Sequence, residues 1–379
     1  IRLPLFEHCV IKLLTRPYIL ATGIVLRKFS QPMFRIMLAT FLGGCSLVAN
    51  AQSQRQVVAI GQYNCENLFD TVNDSLKKDD DFTPNGPYHY TEEVYRQKLH
   101  NVATVLSSIG TNVTPDGPAI IGLVEVENAT VLADLCQQPE LKSRNYQHVW
   151  FPTPDERGIS TAMLYNPKYF RLLGAEPVPV PVQTIGWSRP TRAVLHVFGT
   201  LAGDTIHVLV NHWPSKSGGE AASAPGRIMA AQVNKRLVDS LQANGQCPKV
   251  MIMGDLNDNP TSEPVEILKC VDKAEKASPC DIFNPWIKPY KKGEGTENYR
   301  GEWSLIDQIM LTGQFVNTNT TGWQYYKCEI FNRDFLNHSI GPNKGLPHRS
   351  FTISQVWDNG YSDHYPVLVY LTRSVSAKQ

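Results

Sequence analysis

Residues 249–258 read Lys-Val-Met-Ile-Met-Gly-Asp-Leu-Asn-Asp. The first residues of this stretch are mostly apolar and form a run of the length of a buried strand. Asp255 and Asn257 follow directly at the carboxyl end of that run. In α/β proteins the carboxyl ends of strands meet at one edge, where binding sites are commonly built. The stretch therefore predicts a buried strand that delivers a carboxylate and an amide to a site.

Other apolar runs repeat this pattern along the chain. The predicted strands are 57–63, 119–126, 161–165, 192–198, 205–210, 249–253, 305–311 and 367–371, all rich in Val, Ile and Leu. The polar residues beside their ends are Asn64, Glu66, Glu125, Asn211, His212, Asp255, Asn257, Asp307, Asp363 and His364. We expect these side chains to converge on one rim of the protein.

Two stretches have the apolar periodicity of amphipathic helices. Residues 93–109 place Leu99, Val102, Leu106 and Ile109 on one face, and residues 227–241 do so with Ile228, Ala231, Leu237 and Leu241. Strands alternating with helices indicate α/β layers. The connection between 192–198 and 205–210 is too short for a helical crossover, so mixed sheets are expected. Residues 177–190 contain four prolines and predict a loop.

Residues 33–51 have the pattern of a secretory signal peptide. A short basic start with Arg35 precedes an apolar core and small residues at Ala49 and Ala51. We expect cleavage after Ala51 and export, with lipoprotein anchoring at Cys45 as the alternative. Residues 1–32 then form an upstream extension, and 52–379 form a single catalytic domain. No later apolar run reaches the roughly 18 residues of a membrane-spanning helix.

The formal net charge of +1 hides an uneven distribution. Residues 1–51 hold six of the 36 Lys and Arg residues and one of the 35 Asp and Glu residues. The remaining chain therefore carries a net charge of −4. A mildly acidic domain does not have the broad basic surface of a protein that binds DNA through phosphates alone.

Six cysteines lie beyond the leader region. They are Cys65, Cys136, Cys247, Cys270, Cys280 and Cys328. An exported protein can oxidise them, and a disulfide between Cys270 and Cys280 would close a short loop. Six cysteines allow 15 complete pairings, so the sequence leaves the pairing open. They lack the CxxC spacing of a structural zinc site.

The predicted rim combines the groups that phosphoester hydrolysis needs. Carboxylates bind a hard cation such as Mg²⁺, an Asp or His deprotonates water, and Asn or protonated His donates to phosphate oxygens. A calcium-loop interpretation of 255–266 is disfavoured. Pro260 stands where that loop needs glycine, and a strand precedes it instead of a helix. The signatures Gly-x-Ser-x-Gly and His-Glu-x-x-His of serine hydrolases and zinc peptidases are missing from the sequence.

Six segments in order resemble the endonuclease/exonuclease/phosphatase superfamily, from about residue 62 to 369. They are Asn64-Cys65-Glu66-Asn67, Gly122-Leu123-Val124-Glu125, Asn211-His212-Trp213-Pro214, Gly254-Asp255-Leu256-Asn257-Asp258, Ile306-Asp307-Gln308 and Ser362-Asp363-His364-Tyr365-Pro366. The similarity is to its deoxyribonuclease and abasic-endonuclease branches and suggests a secreted bacterial member. It implies a four-layer α/β/β/α sandwich of two mixed sheets. Val124 departs from the usual Gln before the glutamate.

The resemblance implies a role for each matching position. The catalytic set is Asp255, Asn257, His212, His364, Asp307 and Asn64, and the metal set is Glu125, Glu66 and Asp363. Asp255 resembles the residue that orients or deprotonates water, and Asp307 the one that orients His364. Whether Asp255 or a histidine is the general base stays open at this stage. Arg157, Lys216 and Arg349 are candidate contacts to substrate phosphates, with a solvated surface charge as the alternative for each.

The expected activity is that of an exported Mg²⁺- or Mn²⁺-dependent nuclease or phosphodiesterase, with Ca²⁺ as a further candidate ion. Water would attack phosphorus in line with the leaving oxygen. The expected partner is a phosphoester such as a nucleic acid, without membrane insertion or an obligate protein partner. Two alternatives remain. One is a phosphomonoesterase or a lipid or sugar-phosphate phosphodiesterase, and the other is a catalytically inactive binding protein on the same fold.

Overall fold

Two six-stranded sheets pack against each other in the computed structural model, which describes residues 54–316 and 322–375. The strands are β1 (Gln54–Leu68), β2 (Ile120–Val126), β3 (Gln147–Trp150), β4 (Ser160–Tyr165), β5 (Phe170–Val178), β6 (Val194–Leu201), β7 (Asp204–His212), β8 (Lys249–Asp255), β9 (Ile282–Phe283), β10 (Glu297–Tyr299), β11 (Glu302–Ser304), β12 (Asp307–Thr312), β13 (Gln324–Ile330) and β14 (Val367–Val375). The α-helices are α1 (Glu92–Ser108), α2 (Ala129–Cys136), α3 (Pro139–Lys142), α4 (Glu220–Gln242), α5 (Glu263–Glu266) and α6 (Ile287–Lys291). The predicted signal peptide 33–51 and Cys45 lie outside the described residues.

Both large sheets are mixed, as predicted. The first has the order β13-β14-β1-β2-β4-β3, and the second has the order β5-β6-β7-β8-β12-β9. β1 and β2 are parallel, as are β7 and β8, and the other neighbours in both sheets are antiparallel. The predicted tight hairpin is the antiparallel pair β6 and β7. No described helix has the length and apolar character needed to cross a membrane.

The alternation of side chains along β8 shows why the sandwich has four layers. Met251 and Met253 lie in the core between the two sheets, whereas Val250 and Ile252 pack on the outer side with Ala230 of α4. Successive side chains of a strand point to opposite faces, so a central strand of this sandwich needs apolar residues at every position. The same alternation in β1 places α1 and α2 outside the first sheet. The predicted α/β/β/α arrangement is confirmed.

Helix α1 has the predicted boundaries within one residue. Its N-cap is Thr91, whose hydroxyl accepts a hydrogen bond of 3.4 Å from the Val94 backbone N–H. The predicted apolar face is buried against the first sheet, with Leu99, Val102, Leu106 and the following Ile109 fully inaccessible. This helix is therefore held by the burial of a continuous apolar stripe.

Helix α4 begins seven residues before the predicted start, at Glu220. The predicted face was partly wrong, because Ile228, Leu237 and Leu241 are only half-buried. The face that is buried contains Gly226, Arg227, Ala230, Ala231, Val233, Asn234 and Val238. Arg227 and Asn234 find polar partners inside the protein, so a search for apolar periodicity alone misplaces this face.

We expect Arg227→Met to lower the free energy of unfolding by about 3–5 kcal/mol, because it removes the buried, hydrogen-bonded charge partner of the Asp258 carboxylate. Arg227 Nε donates to Asp258 Oδ2 over 2.5 Å, and both side chains are almost inaccessible. Urea unfolding measures the change. Arg236→Met, on the exposed face of the same helix, is the matched control. Equal stability of the two variants would contradict the role given to this ion pair.

Strand β5 corrects the prediction that 177–190 is entirely loop. Pro177 lies in β5, opposite Leu195 of β6. β5 is at the edge of its sheet, where a residue without a backbone N–H is tolerated. Residues 182–185 form a short 3₁₀ turn. The proline-rich stretch 177–190 therefore contains the end of an edge strand and a short turn as well as loop.

Within the described residues a disulfide joins Cys247 to Cys280, so the pairing that the sequence left open does not include Cys270 with Cys280. Cys270 is a free thiol, and its Sγ lies 3.5 Å from Met310 Sδ in the outer core beside α4. The short separation of Cys270 and Cys280 in the sequence suggested a pairing that the structure does not contain. The pairing depends on which Cβ atoms the fold brings together.

Candidate active site

The strand register brings the predicted residues together at one end of the sandwich. Asp255 of β8 lies opposite His212 of β7 on one side and Asp307 of β12 on the other. In the other sheet the end of β1 pairs with the start of β14, where Gln62 lies opposite Val367. The loop before β14 therefore meets the end of β1, and both sheets contribute to one site.

Gly254 is required by the close approach of β7 and β8 beside this site. Its φ is +144°, and a Cβ there would lie 1.9 Å from the Asn211 backbone oxygen. Non-glycine residues with positive φ also occur in this region, namely Glu66 (+49°), Asn67 (+55°), Glu125 (+62°) and Asn257 (+50°). Such conformations cost energy and recur where a site fixes side-chain direction.

Asp255 and His364 are linked through Asn64. The Asn64 Nδ2 group donates to Asp255 Oδ2 over 3.0 Å and lies 3.5 Å from His364 Nε2. The other nitrogen of the ring, Nδ1, lies 2.7 Å from Asp307 Oδ2. These contacts fix the ring so that Nε2 faces the space beside Asp255, at 4.0 Å from its Oδ2. The predicted pairing of Asp307 with His364 is present.

Ser362 holds the two chain segments in register. Its hydroxyl donates to the Asn64 backbone oxygen over 2.8 Å and accepts from the His364 backbone N–H over 3.1 Å. The motif serine therefore fixes the position of His364 relative to Asn64 and has no contact with the reacting groups. Both of its hydrogen bonds are buried.

Burial and neighbouring charges set the charge states of the central pair. Burial by itself lowers the pKa of His364, but the carboxylates of Asp307, Asp363 and Asp255 outweigh it and hold that pKa well above its ordinary value. Burial raises the pKa of Asp255, and the nearby charge of His364 opposes this rise. The histidine is therefore favoured as a cation, and the aspartate is a stronger base than an exposed one.

His212 is buried in the same site but has the opposite tendency. Burial lowers its pKa well below the ordinary value, and the charges of Arg192 and Arg157 lower it further. Its Nε2 lies 3.7 Å from Glu125 Oε1 and 3.8 Å from Asp255 Oδ2. The predicted rim had two phosphate-facing histidines, and only His364 has the environment of a cation. A neutral His212 still offers one ring N–H as a donor.

Asn257 is positioned by its own turn. Its backbone N–H donates to Asp255 Oδ1 over 2.8 Å, and its side-chain amide donates to the Trp213 backbone oxygen over 3.0 Å. These bonds hold the amide beside the site. Asp258, the last residue of the motif, turns away and pairs with Arg227.

The predicted metal-binding carboxylates lie in a setting that fits a cation. Burial raises the pKa of Glu66, and Asp363 raises it further, so these crowded carboxylates favour a nearby positive charge. Glu125 Oε2 accepts from the Asn67 backbone N–H over 2.8 Å, while its Oε1 lies beyond hydrogen-bond distance of His212. Carboxylate oxygens of this kind are the ligands that Mg²⁺ and Mn²⁺ use.

Lys98, a fully buried lysine whose charge acts on these carboxylates, was not predicted from the sequence. Its ammonium group donates to the Ser350 hydroxyl, and its charge acts on Glu66, Cys65 and Glu125. Burial lowers the pKa of Lys98, and the nearby carboxylates oppose this. The burial of Lys98 could have been predicted from the sequence, because Lys98 falls on the apolar face of α1, three residues after the buried Tyr95.

Of the three predicted phosphate contacts, Arg349 contacts the site most directly. It donates to Asp363 Oδ2 over 2.7 Å and lies 3.6 Å from Glu66 Oε1, so it joins two predicted metal ligands. Lys216 lies instead near Glu220 and Asp258, at 3.2 and 3.4 Å.

Arg157 is half-exposed, and a second missed residue, Arg192, lies close to it. Arg157 Nε lies 3.7 Å from Asp155 Oδ1. The buried Arg192 donates to Asp155 Oδ2 over 2.9 Å and to the Trp213 backbone oxygen over 2.9 Å. The second bond reaches the same oxygen that Asn257 contacts. Arg192 therefore carries a positive charge to the edge of the site.

The fold and this site define a phosphoester hydrolase. The family model described as "Endonuclease/Exonuclease/phosphatase family" matches residues 59–373. The chain belongs to this family.

Solved structures with a similar fold include relatives from animals and bacteria. TDP2 from Caenorhabditis elegans is 16% identical over 94% of this chain and 98% of its own, with a TM-score of 0.48. The mannosyl-6-phosphatase of Bacteroides thetaiotaomicron is 14% identical over 83% of this chain and 99% of its own, with a TM-score of 0.49. TDP2 from Danio rerio, complexed with a single-strand DNA product, is 15% identical over 83% of this chain and 99% of its own, with a TM-score of 0.48. No curated protein matches the chain.

Proposed function

We propose that this protein is an exported, divalent-metal-dependent phosphodiesterase that acts on nucleic acid by attack of water on phosphorus. The observation that carries the proposal is the linked arrangement of Asp255, Asn64, His364 and Asp307. The side-chain amide of Asn64 lies between Asp255, which acts as the base, and His364, which acts as the positively charged donor. A phosphoryl group between them would meet an attacking water and a stabilising charge at once.

In this mechanism Asp255 Oδ2 accepts a proton from the attacking water. Asn64 orients the carboxylate through its side-chain amide, and Asn257 does so through its backbone N–H. The new bond forms between the water oxygen and phosphorus as the bond to the leaving oxygen breaks. His364, held by Asp307, donates from Nε2 to the phosphoryl oxygens as their negative charge increases.

Glu125, Glu66 and Asp363 are the residues that would hold Mg²⁺ or Mn²⁺. When bound, such an ion neutralises charge on the phosphoryl and leaving oxygens. Arg349 already pairs with Glu66 and Asp363. Its guanidinium holds these two carboxylates near each other.

A cleft of about 380 Å³ favours a substrate with more than one anionic group. It is lined by Lys78, Arg157, Arg189 and Arg192, with the Trp187 ring beside them. The Arg192 contact to Trp213 connects this cleft to Asn257. Four cations outnumber the two acidic residues of the cleft lining, so it suits a second phosphate of a polymer, with a base stacked on the indole.

Two features support export. Residues 33–51 have the pattern of a signal peptide, and the Cys247–Cys280 disulfide is of a kind that persists in oxidising compartments. An exported nuclease of this type would release nucleotides from nucleic acid outside the cell.

The proposed function predicts metal-dependent cleavage of phosphodiesters in preference to phosphomonoesters. The purified protein is incubated with Mg²⁺ or Mn²⁺ and a panel of plasmid DNA, single-stranded DNA, RNA, bis-p-nitrophenyl phosphate, p-nitrophenyl phosphate, mannose 6-phosphate and sphingomyelin. Asp255→Asn, purified in parallel, excludes a contaminating nuclease. Faster release of phosphate from the monoesters than cleavage of any diester would contradict the choice of substrate. Absence of metal-dependent turnover on the whole panel would contradict the hydrolase assignment.

A further inference from the structure

Residues 331–366 connect β13 to β14 with little regular structure. Asp334–Leu336 form a 3₁₀ turn, and the remaining order comes from turns and from isolated bridges such as Asn337 with Pro347 and Phe351 with Trp357. Long irregular connections are uncommon in compact domains and usually serve a function. This segment carries Arg349 and Asp363 into the active site.

Three side chains from separate turns of this segment meet away from the catalytic residues. His338, His348 and Asp358 each offer a ligand atom, and these atoms all lie within 4.8 Å of one another. The two imidazole rings have centroids 4.2 Å apart, at an angle of 39°. The three side chains are partly buried, with 15%, 26% and 36% of their surfaces exposed. The cluster thus ties together residues about ten positions apart.

The distances of the Asp358 carboxylate from the two imidazoles match shared ligation better than hydrogen bonding. Asp358 Oδ2 lies 3.4 Å from His348 Nε2 and 4.0 Å from His338 Nδ1. A hydrogen bond to a charged carboxylate is shorter, at about 2.7–2.9 Å. Ligands at about 2.0–2.2 Å from a tetrahedral ion lie roughly 3.3–3.6 Å from each other. A movement of roughly 1 Å would bring all three to one ion.

The chemical types of these three side chains indicate which metal ion they would bind. Two imidazoles and one carboxylate suit Zn²⁺, whereas Mg²⁺ prefers oxygen ligands alone. The Asp358 backbone oxygen, 3.0 Å from His348 Nε2, or a water molecule is available as a fourth ligand.

We propose that His338, His348 and Asp358 form a structural Zn²⁺ site, separate from the catalytic metal site. The ion would close two loops of the 331–366 segment. The backbone that it fixes is the one that supports the active site. The His348 backbone oxygen accepts from the N–H groups of Tyr361 and Ser362, and the Ser350 N–H donates to Glu66 Oε2 over 2.7 Å. Zinc would therefore stiffen the support of Glu66 and Arg349 without touching the substrate.

Zinc titration of the chelator-treated full chain tests this proposal, with saturating Mg²⁺ present and a chromophoric chelator as competitor. We expect the wild type to bind one more equivalent of Zn²⁺ than His348→Ala. Asp358→Asn, which keeps the side-chain shape, should weaken this equivalent about 10- to 100-fold. His148→Ala removes a half-buried histidine of β3 as the matched control and should bind zinc like the wild type. Cobalt should give the visible absorption of a tetrahedral site in the wild type and in His148→Ala only.

Thermal unfolding gives a second readout that does not depend on activity. Zinc at about 100 times its dissociation constant should raise the wild-type Tm by about 3 °C and leave that of His348→Ala unchanged. Equal zinc stoichiometry and affinity in all four proteins would overturn the proposal, because zinc would then bind elsewhere. So would the absence of tight zinc binding by the wild type.

Discussion

Asp255→Asn is expected to lower kcat by roughly 10²- to 10⁴-fold, the range by which a positioned general base contributes to a reaction. The amide keeps the size of the carboxylate and can still accept from Asn64 or from the Asn257 backbone. It cannot accept a proton from water. KM should change little, because Asp255 acts on the water and contributes less to binding of the substrate.

The same variant should be at least as stable as the wild type. Asp255 is only 2% exposed, and burial raises its pKa, so the ionised carboxylate costs folding energy. Loss of activity with an equal or higher Tm would separate a catalytic role from a structural one. Asp116→Asn, before β2 and thus at the other end of that strand from Glu125, is the control and should leave kcat unchanged. A kcat within about tenfold of the wild-type value would assign the proton transfer to another group.

The predicted strands could be read from sequence because both of their faces are buried. β7 and β8 are the two central parallel strands of the second sheet, and each contains a run of consecutive apolar residues, 208–210 in β7 and 250–253 in β8, which marks them without any alignment. β3 and β13 have alternating or partly exposed patterns and were not predicted. Short, half-exposed strands near sheet edges depend on pairing with a neighbour for their stability, and a local pattern does not record that neighbour.

The candidate site was predicted as a set of residues, but its charge states were not. The spacing of the motifs located Asp255 and His364, while the neutral tendency of His212 depends on Arg192 and Arg157, which come from other parts of the chain. Lys98 was missed for a similar reason. Its importance comes from carboxylates that lie far from it in sequence, and the helix that carries it has an otherwise ordinary apolar face.

Asp307→Asn is expected to lower kcat by roughly 10²- to 10⁴-fold, although Asp307 does not touch the substrate in the proposed mechanism. It is a positioning residue. Its Oδ2 lies 2.7 Å from His364 Nδ1, and the whole side chain is buried. The carboxylate fixes the proton on Nδ1 and favours the cation that faces the phosphoryl group. An amide at this position can present its NH₂ group to the ring and favour the wrong tautomer.

Proton NMR distinguishes this role from a general loss of stability. The Nδ1–H of His364 in its short bond to Asp307 should give a low-field resonance in the wild type, and Asp307→Asn should lose it. Glu176→Gln is the matched control, because Glu176 pairs with the imidazole of His196 over 2.9 Å outside the site. The control should keep both kcat and the His364 resonance. If Asp307→Asn retained wild-type kcat, or kept the resonance while losing activity, the histidine would not act through this pair, and the donor to the phosphoryl group would have to be sought in Lys98, Arg349 or the bound metal.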